Sequence, residues 1–189
     1  MKNRFLKGGI ASVIVLTTLA FTNTKKEVDV ESSEVTWTGE KVTGSHHGTI
    51  ELESGYLMIE DEKIVGGEFV MDMSSITVTD LSGENKDKLE GHLKSDDFFG
   101  VKNHPTSKLV ITSAASKGNG VYGVVGELTI KNETHPITFD LKMNEDSAST
   151  ELTIDRSKYN VRYGSGSFFD NLGDKTIYDN FELDVNLKF

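Results

Sequence analysis

Over its last nine residues the chain alternates without a fault, with Phe181, Leu183, Val185, Leu187 and Phe189 set against Glu182, Asp184, Asn186 and Lys188. A strict period of two gives a strand one apolar and one polar face. The same signature recurs upstream. Residues 35–38, with Val35 and Trp37, carry it, and so do residues 49–53, continued by 56–59 after an interruption at Gly55. Residues 64–76 place Phe69, Met71 and Met73 on one face and Glu68, Val70 and Asp72 on the other. Residues 108–113, 120–131, 137–143 and 150–155 complete eight predicted strands. The links between them are short and turn-like. Lys117-Gly118-Asn119-Gly120 is the clearest, because Asn-Gly suits the positive φ of a tight hairpin; Asp61-Glu62-Lys63, Asn132-Glu133 and Glu145-Asp146-Ser147 are the others.

Two stretches break the period. Residues 81–94 space Leu81, Leu89 and Leu93 among charged residues and predict one short amphipathic helix, after which Asp96-Asp97-Phe98-Phe99 and Pro105 end helical pattern. Residues 152–177 begin as strand, then lose periodicity for about twenty residues, with regular pattern expected again near Phe181. Connections longer than roughly 12–15 residues are uncommon in compact domains unless functional or disordered. This one holds Tyr159, Tyr163, Phe168 and Phe169 with Arg156 and Arg162, and disordered segments are poor in aromatics. It reads as an ordered loop closing over something.

Eight one-sided antiparallel strands must pack on a second sheet or close on themselves. Eight is also about the number at which a closed barrel either fills with its own side chains or holds one small ligand. The expected fold is therefore all-β, an eight-stranded antiparallel barrel with one inserted helix; a two-sheet sandwich is the alternative. The inward faces would present Trp37, Phe69, Met71, Met73, Tyr122, Val124, Leu128, Phe139, Leu141, Leu183 and Val185.

Charge and composition narrow the function. A formal net charge of −10 and no basic run beyond the first residues argue against nucleic acid. Lys2, Arg4 and Lys7 precede an apolar run over residues 8–21, too short to span a bilayer but suited to a secretory signal. Cleavage is expected after Ala20, which leaves −10 − 3 = −13. The expected organisation is a signal over 1–20, a lead-in over 21–34 and the barrel over 35–189, with a periplasmic or secreted location and no stable membrane insertion after cleavage. An uncleaved anchor is the alternative. The chain has no cysteine, which removes disulfides, thiol nucleophiles and thiolate metal sites.

Apparent motifs weaken on inspection. Gly118-x-Gly120-x-x-Gly123 matches a dinucleotide pattern but lies between strands rather than between a strand and a helix. Gly164-Ser165-Gly166-Ser167 is not a nucleophile elbow. His92 and Asp96 share a helix face, and His46-His47 are adjacent, yet neither pair supplies the three or four ligands a metal needs. No cofactor or metal is expected. Asp155-Arg156 with Asp170 reads first as an ion-pair clamp ordering the long loop, and second as a polar contact to a ligand's head group. Phe98-Phe99 and Phe168-Phe169 read either as core plugs or as a lid over an apolar ligand, facing one barrel opening.

Taken together, Gly44-Ser45-His46-His47-Gly48-Thr49-Ile50, Phe69-Val70-Met71-Asp72-Met73-Ser74-Ser75-Ile76, Gly91-His92-Leu93-Lys94-Ser95-Asp96-Asp97-Phe98-Phe99, Gly126-Glu127-Leu128-Thr129-Ile130 and Ile154-Asp155-Arg156-Ser157-Lys158-Tyr159, continued through Arg162 to Asp170, resemble the YceI-like family of exported polyisoprenoid-binding proteins over about residues 28–189. The resemblance implies a lipocalin-like barrel whose tunnel holds a long isoprenoid or fatty-acid-type lipid, with no catalysis. It places His46, Asp72, His92, Phe98, Phe99, Asp155, Arg156, Tyr159, Arg162, Phe168, Phe169 and Asp170 on motif positions, the polar ones at the barrel mouth. Two other readings stay open. One is an enzyme on an amphiphile using His92 or His46 as base with Arg156. The other is a filled barrel acting as an interaction module in an envelope stress response. A homodimer is also left open.

Overall fold

The computed structural model describes residues 23–189. The expected signal segment lies outside them. Nine strands and one α-helix are arranged as β1 (Asn23–Glu27), β2 (Glu34–Lys41), β3 (Gly44–Glu60), β4 (Lys63–Val78), α1 (Gly83–Lys94), β5 (Thr106–Gly118), β6 (Val121–Ile130), β7 (Glu133–Met143), β8 (Ser147–Asp155) and β9 (Ile177–Lys188). Strands β2 to β9 pair with their neighbours in chain order, and β9 pairs with β2, so eight antiparallel strands close into a barrel. The short β1 falls in the segment read as a lead-in. It extends the β2 side of the long strand β3, pairing with residues 56–60 while β2 pairs with residues 44–49.

Three connections are two-residue hairpins whose central residues both have positive φ: Asp61-Glu62, Asn119-Gly120 and Lys131-Asn132. That turn geometry matches the right-handed twist of paired strands. Only the second announces itself with Asn-Gly. Gly55 does not interrupt β3, which runs through it for 17 residues, pairing Gly55 with Phe69.

The inward face of β4 changes parity partway. Gly67, Phe69 and Met73 face in, then Ile76 and Val78 do. Between the pairs Glu51↔Asp72 and Thr49↔Thr77, β4 carries more residues than β3, which makes a bulge. Asp72 holds it: its Oδ1 accepts from the Ser74 backbone N–H at 2.8 Å and from the Ser74 hydroxyl at 2.6 Å. Ser75 bridges the strands, donating to the Asp72 carbonyl and accepting from the Glu51 N–H. The bulge pushes the Thr77 carbonyl against Gly48, where a Cβ would sit 1.8 Å from that oxygen. Only glycine fits.

One end of the barrel is closed. Segment 28–33 crosses it, with the Val28 N–H donating to Gly55 O and the Asp29 N–H to Lys188 O, while Leu57 and Ile64 seal the interior. The opposite end carries α1, the β6–β7 turn and the long connection from β8 to β9. Strands β7 and β8 pair only at Lys142↔Ser149 and Met143↔Ala148, so they splay apart toward that end. A 3-10 turn, Arg156–Tyr159, fills the gap: Tyr159 is 3% exposed, packs with Leu128, Ile130, Leu152 and Ile154, and meets the His135 ring edge-on at 5.3 Å.

Candidate functional site

The inward positions of β9 illustrate what the barrel encloses. Phe181, Leu183 and Val185 alternate with exposed Glu182, Asp184 and Asn186, yet are only half-buried, as are inward-facing Trp37 and Phe139. Their open surface faces an internal cavity of about 180 Å³. An apolar void of roughly 150 Å³ already stays dry and accepts benzene-sized guests, whereas one water needs only ~10–15 Å³. This cavity runs along the barrel, from Val35, Ile111, Leu141 and Leu187 near the closed end to Leu93, Phe98, Phe99 and Ile177 at the other. Its wall is almost wholly hydrocarbon and aromatic ring.

Most of the residues read from the sequence as inward do line it: Trp37, Phe69, Met71, Met73, Phe98, Phe99, Leu128, Phe139, Leu141, Leu183 and Val185. Four of the proposed tunnel residues are placed elsewhere. Val124 is 1% exposed in the packed core. Tyr122, beside the closed end, donates its hydroxyl to the Glu62 carbonyl at 3.3 Å. Phe168 and Phe169 are exposed on the outer surface and do not touch the cavity. The two aromatic pairs share an end of the barrel but not a role: Phe98 and Phe99 both line the cavity, whereas Phe168 and Phe169 both face outward. The wall also includes Ile50, Leu52, Ile76, Leu109, Ile130, Ile137, Leu152 and Ile154.

The mouth is built from three segments. After α1, the Phe99 N–H donates to Leu93 O at 3.1 Å and the Val101 N–H to Lys94 O at 3.0 Å, which folds Phe98 and Phe99 back under the helix end. Lys131, in the β6–β7 turn, donates through Nζ to Phe98 O at 2.7 Å and Asn160 O at 3.3 Å, so one ammonium joins the helical segment to the long connection. Burial pushes its pKa below the ordinary lysine value, with Asp96 opposing.

Arg156 is the centre of the mouth. It lines the cavity, is 2% exposed, and stacks over the Phe98 ring at 5.3 Å. Its Nε donates to Tyr178 O at 3.1 Å, Nη1 to Val161 O at 2.8 Å and Nη2 to Ile177 O at 3.0 Å. Its ionic partner is Asp179, at 3.5 Å. Burial lowers the guanidinium pKa, and Asp179 and then Asp155 oppose the shift. The expected clamp therefore exists with a different partner. Asp155 instead caps the 3-10 turn, accepting from the Ser157 N–H at 3.0 Å and hydroxyl at 2.6 Å, and Asp170 is exposed. The clamp draws the connection onto the barrel so early that β9 begins at Ile177 rather than near Phe181.

The remaining polar positions also hold the fold. His46 Nδ1 lies 2.8 Å from Asp80 Oδ2. Burial pushes the Asp80 carboxyl up, but the His46 side chain and the His47 and Asp80 backbone N–H groups together bring it below the ordinary Asp value. His92 packs edge-on between Phe98 at 5.6 Å and Tyr163 at 4.3 Å. It does not meet Asp96, which accepts from Asn103. Arg162 donates to Asn160 Oδ1 and covers the Phe168 ring at 4.9 Å. Burial, then Asp155, raises the Tyr159 phenol pKa. Among the described residues no three His, Asp or Glu side chains converge as a metal site would require.

The cavity reaches the surface beside the β2–β9 seam. Pairing there slips between Gly39↔Phe181 and Lys41↔Ile177. Exposed Glu40, Tyr178 and Asn180 line the cavity and also border a shallow polar depression on the outer face.

Comparison with known proteins places this geometry. The model of the YceI-like domain matches residues 27–189. A UPF0312 protein of Staphylococcus epidermidis is 28% identical over 141 residues, covering 62% of this chain and 79% of that protein. One from Shewanella denitrificans is 33% identical over 84 residues, 44% of this chain and 42% of that protein. Among solved structures, Burkholderia cenocepacia BcnA superposes with a TM-score of 0.68 at 21% identity, covering 85% of this chain and 98% of that one. A polyisoprenoid binding domain from Saccharophagus degradans, implicated in plant cell wall breakdown, gives a TM-score of 0.59 at 14% identity, with 89% and 97% covered.

Proposed function

The chain belongs to the YceI-like domain family, and from that premise we propose that it is a non-catalytic binding protein whose barrel holds a polyisoprenoid or similar long-chain lipid. The observation that carries this reading is the cavity: about 180 Å³, walled by apolar side chains along the barrel and reaching the surface beside the β2–β9 seam. A flexible hydrocarbon chain is the solute such a space suits. Burying a methylene is worth roughly 0.8 kcal/mol, so three or four isoprene units approach the ~8 kcal/mol of micromolar binding after association costs. Affinity of this kind follows chain length and discriminates weakly between head groups.

Two features favour binding over catalysis. Neither His46 nor His92 lines the cavity, so neither candidate base faces a bound substrate. Arg156 does line it, but its guanidinium is engaged by three carbonyls and Asp179. The export expected from the N-terminal apolar run would put the protein in the periplasm or outside the cell, where it would transport, store or sequester its lipid.

The test is extraction and mass spectrometry of protein purified without detergent, alongside Met71→Trp and Phe139→Trp, which put larger side chains into the cavity. Wild type should release a long-chain lipid and both variants substantially less. Unchanged lipid content in folded variants would overturn the assignment.

A further inference from the structure

Seven large hydrophobic residues are exposed in the described chain, and five of them, Val42, Tyr163, Phe168, Phe169 and Tyr178, lie at the mouth. Val65 sits beside the β3–β4 turn at the closed end, and Val125 lies on the outside of β6. The five belong to segments joined to one another. The Val42 N–H donates to Thr176 O at 3.1 Å, and the Ile177 N–H donates to Gly164 O at 2.8 Å. The phenylalanines are held in place: the N–H groups of Phe168 and Phe169 donate to the carbonyl of fully buried Ser165 at 3.2 and 3.1 Å, and the Ser167 hydroxyl donates to Asp179 Oδ2 at 2.6 Å. An apolar cluster kept in water by a preorganised loop marks an interaction surface and gives up little entropy on binding.

We infer that this aromatic rim docks the barrel mouth onto a lipid surface, with Phe168, Phe169, Tyr163 and Tyr178 entering the headgroup region beside the cavity opening. Tyrosine there keeps its hydroxyl in the hydrated layer while the ring is buried, as at membrane interfaces generally. Charge favours this occupant over a second copy. The chain carries −10 overall, so two copies repel, whereas residues 157–178 carry Lys158, Arg162 and Lys175 against Asp170 and Asp174, a net +3 − 2 = +1. Continuity with the opening points the same way, because Tyr178 belongs both to the rim and to the cavity wall. A chain leaving the bilayer there would enter the barrel without crossing water. Docking needs no cargo, so the inference stands or falls separately from the lipid occupying the cavity.

Because the N-terminal apolar run could itself hold the full chain to vesicles, the readout must report position. Phe169→Trp and Val65→Trp, each corrected for the wild-type signal of Trp37, would be mixed with phosphatidylcholine vesicles with and without brominated acyl chains. The rim tryptophan should shift to the blue and be quenched by bromine, while the one at position 65 should show neither. In a Tyr178→Trp background, Phe168→Ser with Phe169→Ser should abolish the quenching. Quenching at both sites, at neither, or unchanged in the serine variant overturns the proposal. So does a blue shift that follows protein concentration without vesicles, which would make the rim a contact between copies.

Discussion

Replacing Arg156 with Met keeps the bulk of the side chain and removes the clamp at the mouth. Four groups lose a partner: the carbonyls of Val161, Ile177 and Tyr178, and the Asp179 carboxylate. Hydrogen bonds to charged groups contribute about 1.5–3 kcal/mol each, which for three gives an upper bound of roughly 4.5–9 kcal/mol. The bound is not reached, because Tyr178 is exposed and water can replace part of what its carbonyl loses. Removing one partner of a buried charge pair costs about 3–5 kcal/mol, and that is the expected loss. For a domain of this size it corresponds to a fall in melting temperature of roughly 10 °C.

Urea denaturation measures the magnitude, and native-state hydrogen exchange shows where it falls. Amides anchored within the connection, Val161, Ser165 and Ile177, should exchange much faster, while those of β5 and β6 should slow or quicken only with global stability. In a double-mutant cycle, Asp179→Asn should cost less in the Arg156→Met background than in wild type, by at least about 1 kcal/mol. A total loss under about 1 kcal/mol, or protection lost evenly over the barrel, would refute the assignment of Arg156 as the clamp.

Gly48→Ala should be among the more damaging single-methyl additions, costing about 1–3 kcal/mol or more, because its Cβ would meet the Thr77 carbonyl at 1.8 Å and the Trp37 ring at 2.8 Å; calorimetry checks this, and a neutral effect would mean that the bulge relaxes freely. The folded Asp80 pKa lies below its unfolded value of about 3.9, so the stability it contributes is present above that pH and is lost as pH falls through the folded value. Asp80→Asn should therefore lower stability at neutral pH and flatten the acid limb of the stability curve below about pH 4; an acid limb identical to wild type would exclude the His46–Asp80 contact as its source.

The fold was legible because an antiparallel barrel writes itself into a sequence twice, in period-two alternation and in the turns between strands. Each residue from 181 to 188 is on the face that the pattern assigns it. The departures from that pattern are local. The β4 bulge reverses alternation between Met73 and Ile76, and its cause is spread over Asp72, Ser74, Ser75 and Gly48, which no periodicity connects. The Asp61-Glu62 turn adopts positive φ without glycine or asparagine. At the mouth, Asp155 adjoins Arg156 and made the natural partner, but Asp179 takes that place from 23 positions away. Adjacent side chains on an extended backbone diverge, and the return of β9 brings the distant carboxylate in.

By itself the sequence determined an all-β chain with one helix, which residues face inward along most strands, and a long aromatic connection of ordered structure. Those follow from short-range rules of side-chain direction and backbone conformation. Only the tertiary structure decided whether the inward faces meet. A filled core and a tunnel need the same apolar residues at the same spacing, and what separates them is the radius at which eight strands close. Here that radius leaves about 180 Å³ unfilled. It also turned the two aromatic pairs to opposite uses, Phe98 and Phe99 inward as part of the cavity wall and Phe168 and Phe169 outward on the rim, a distinction set by which groups hold each turn and invisible in the residues themselves.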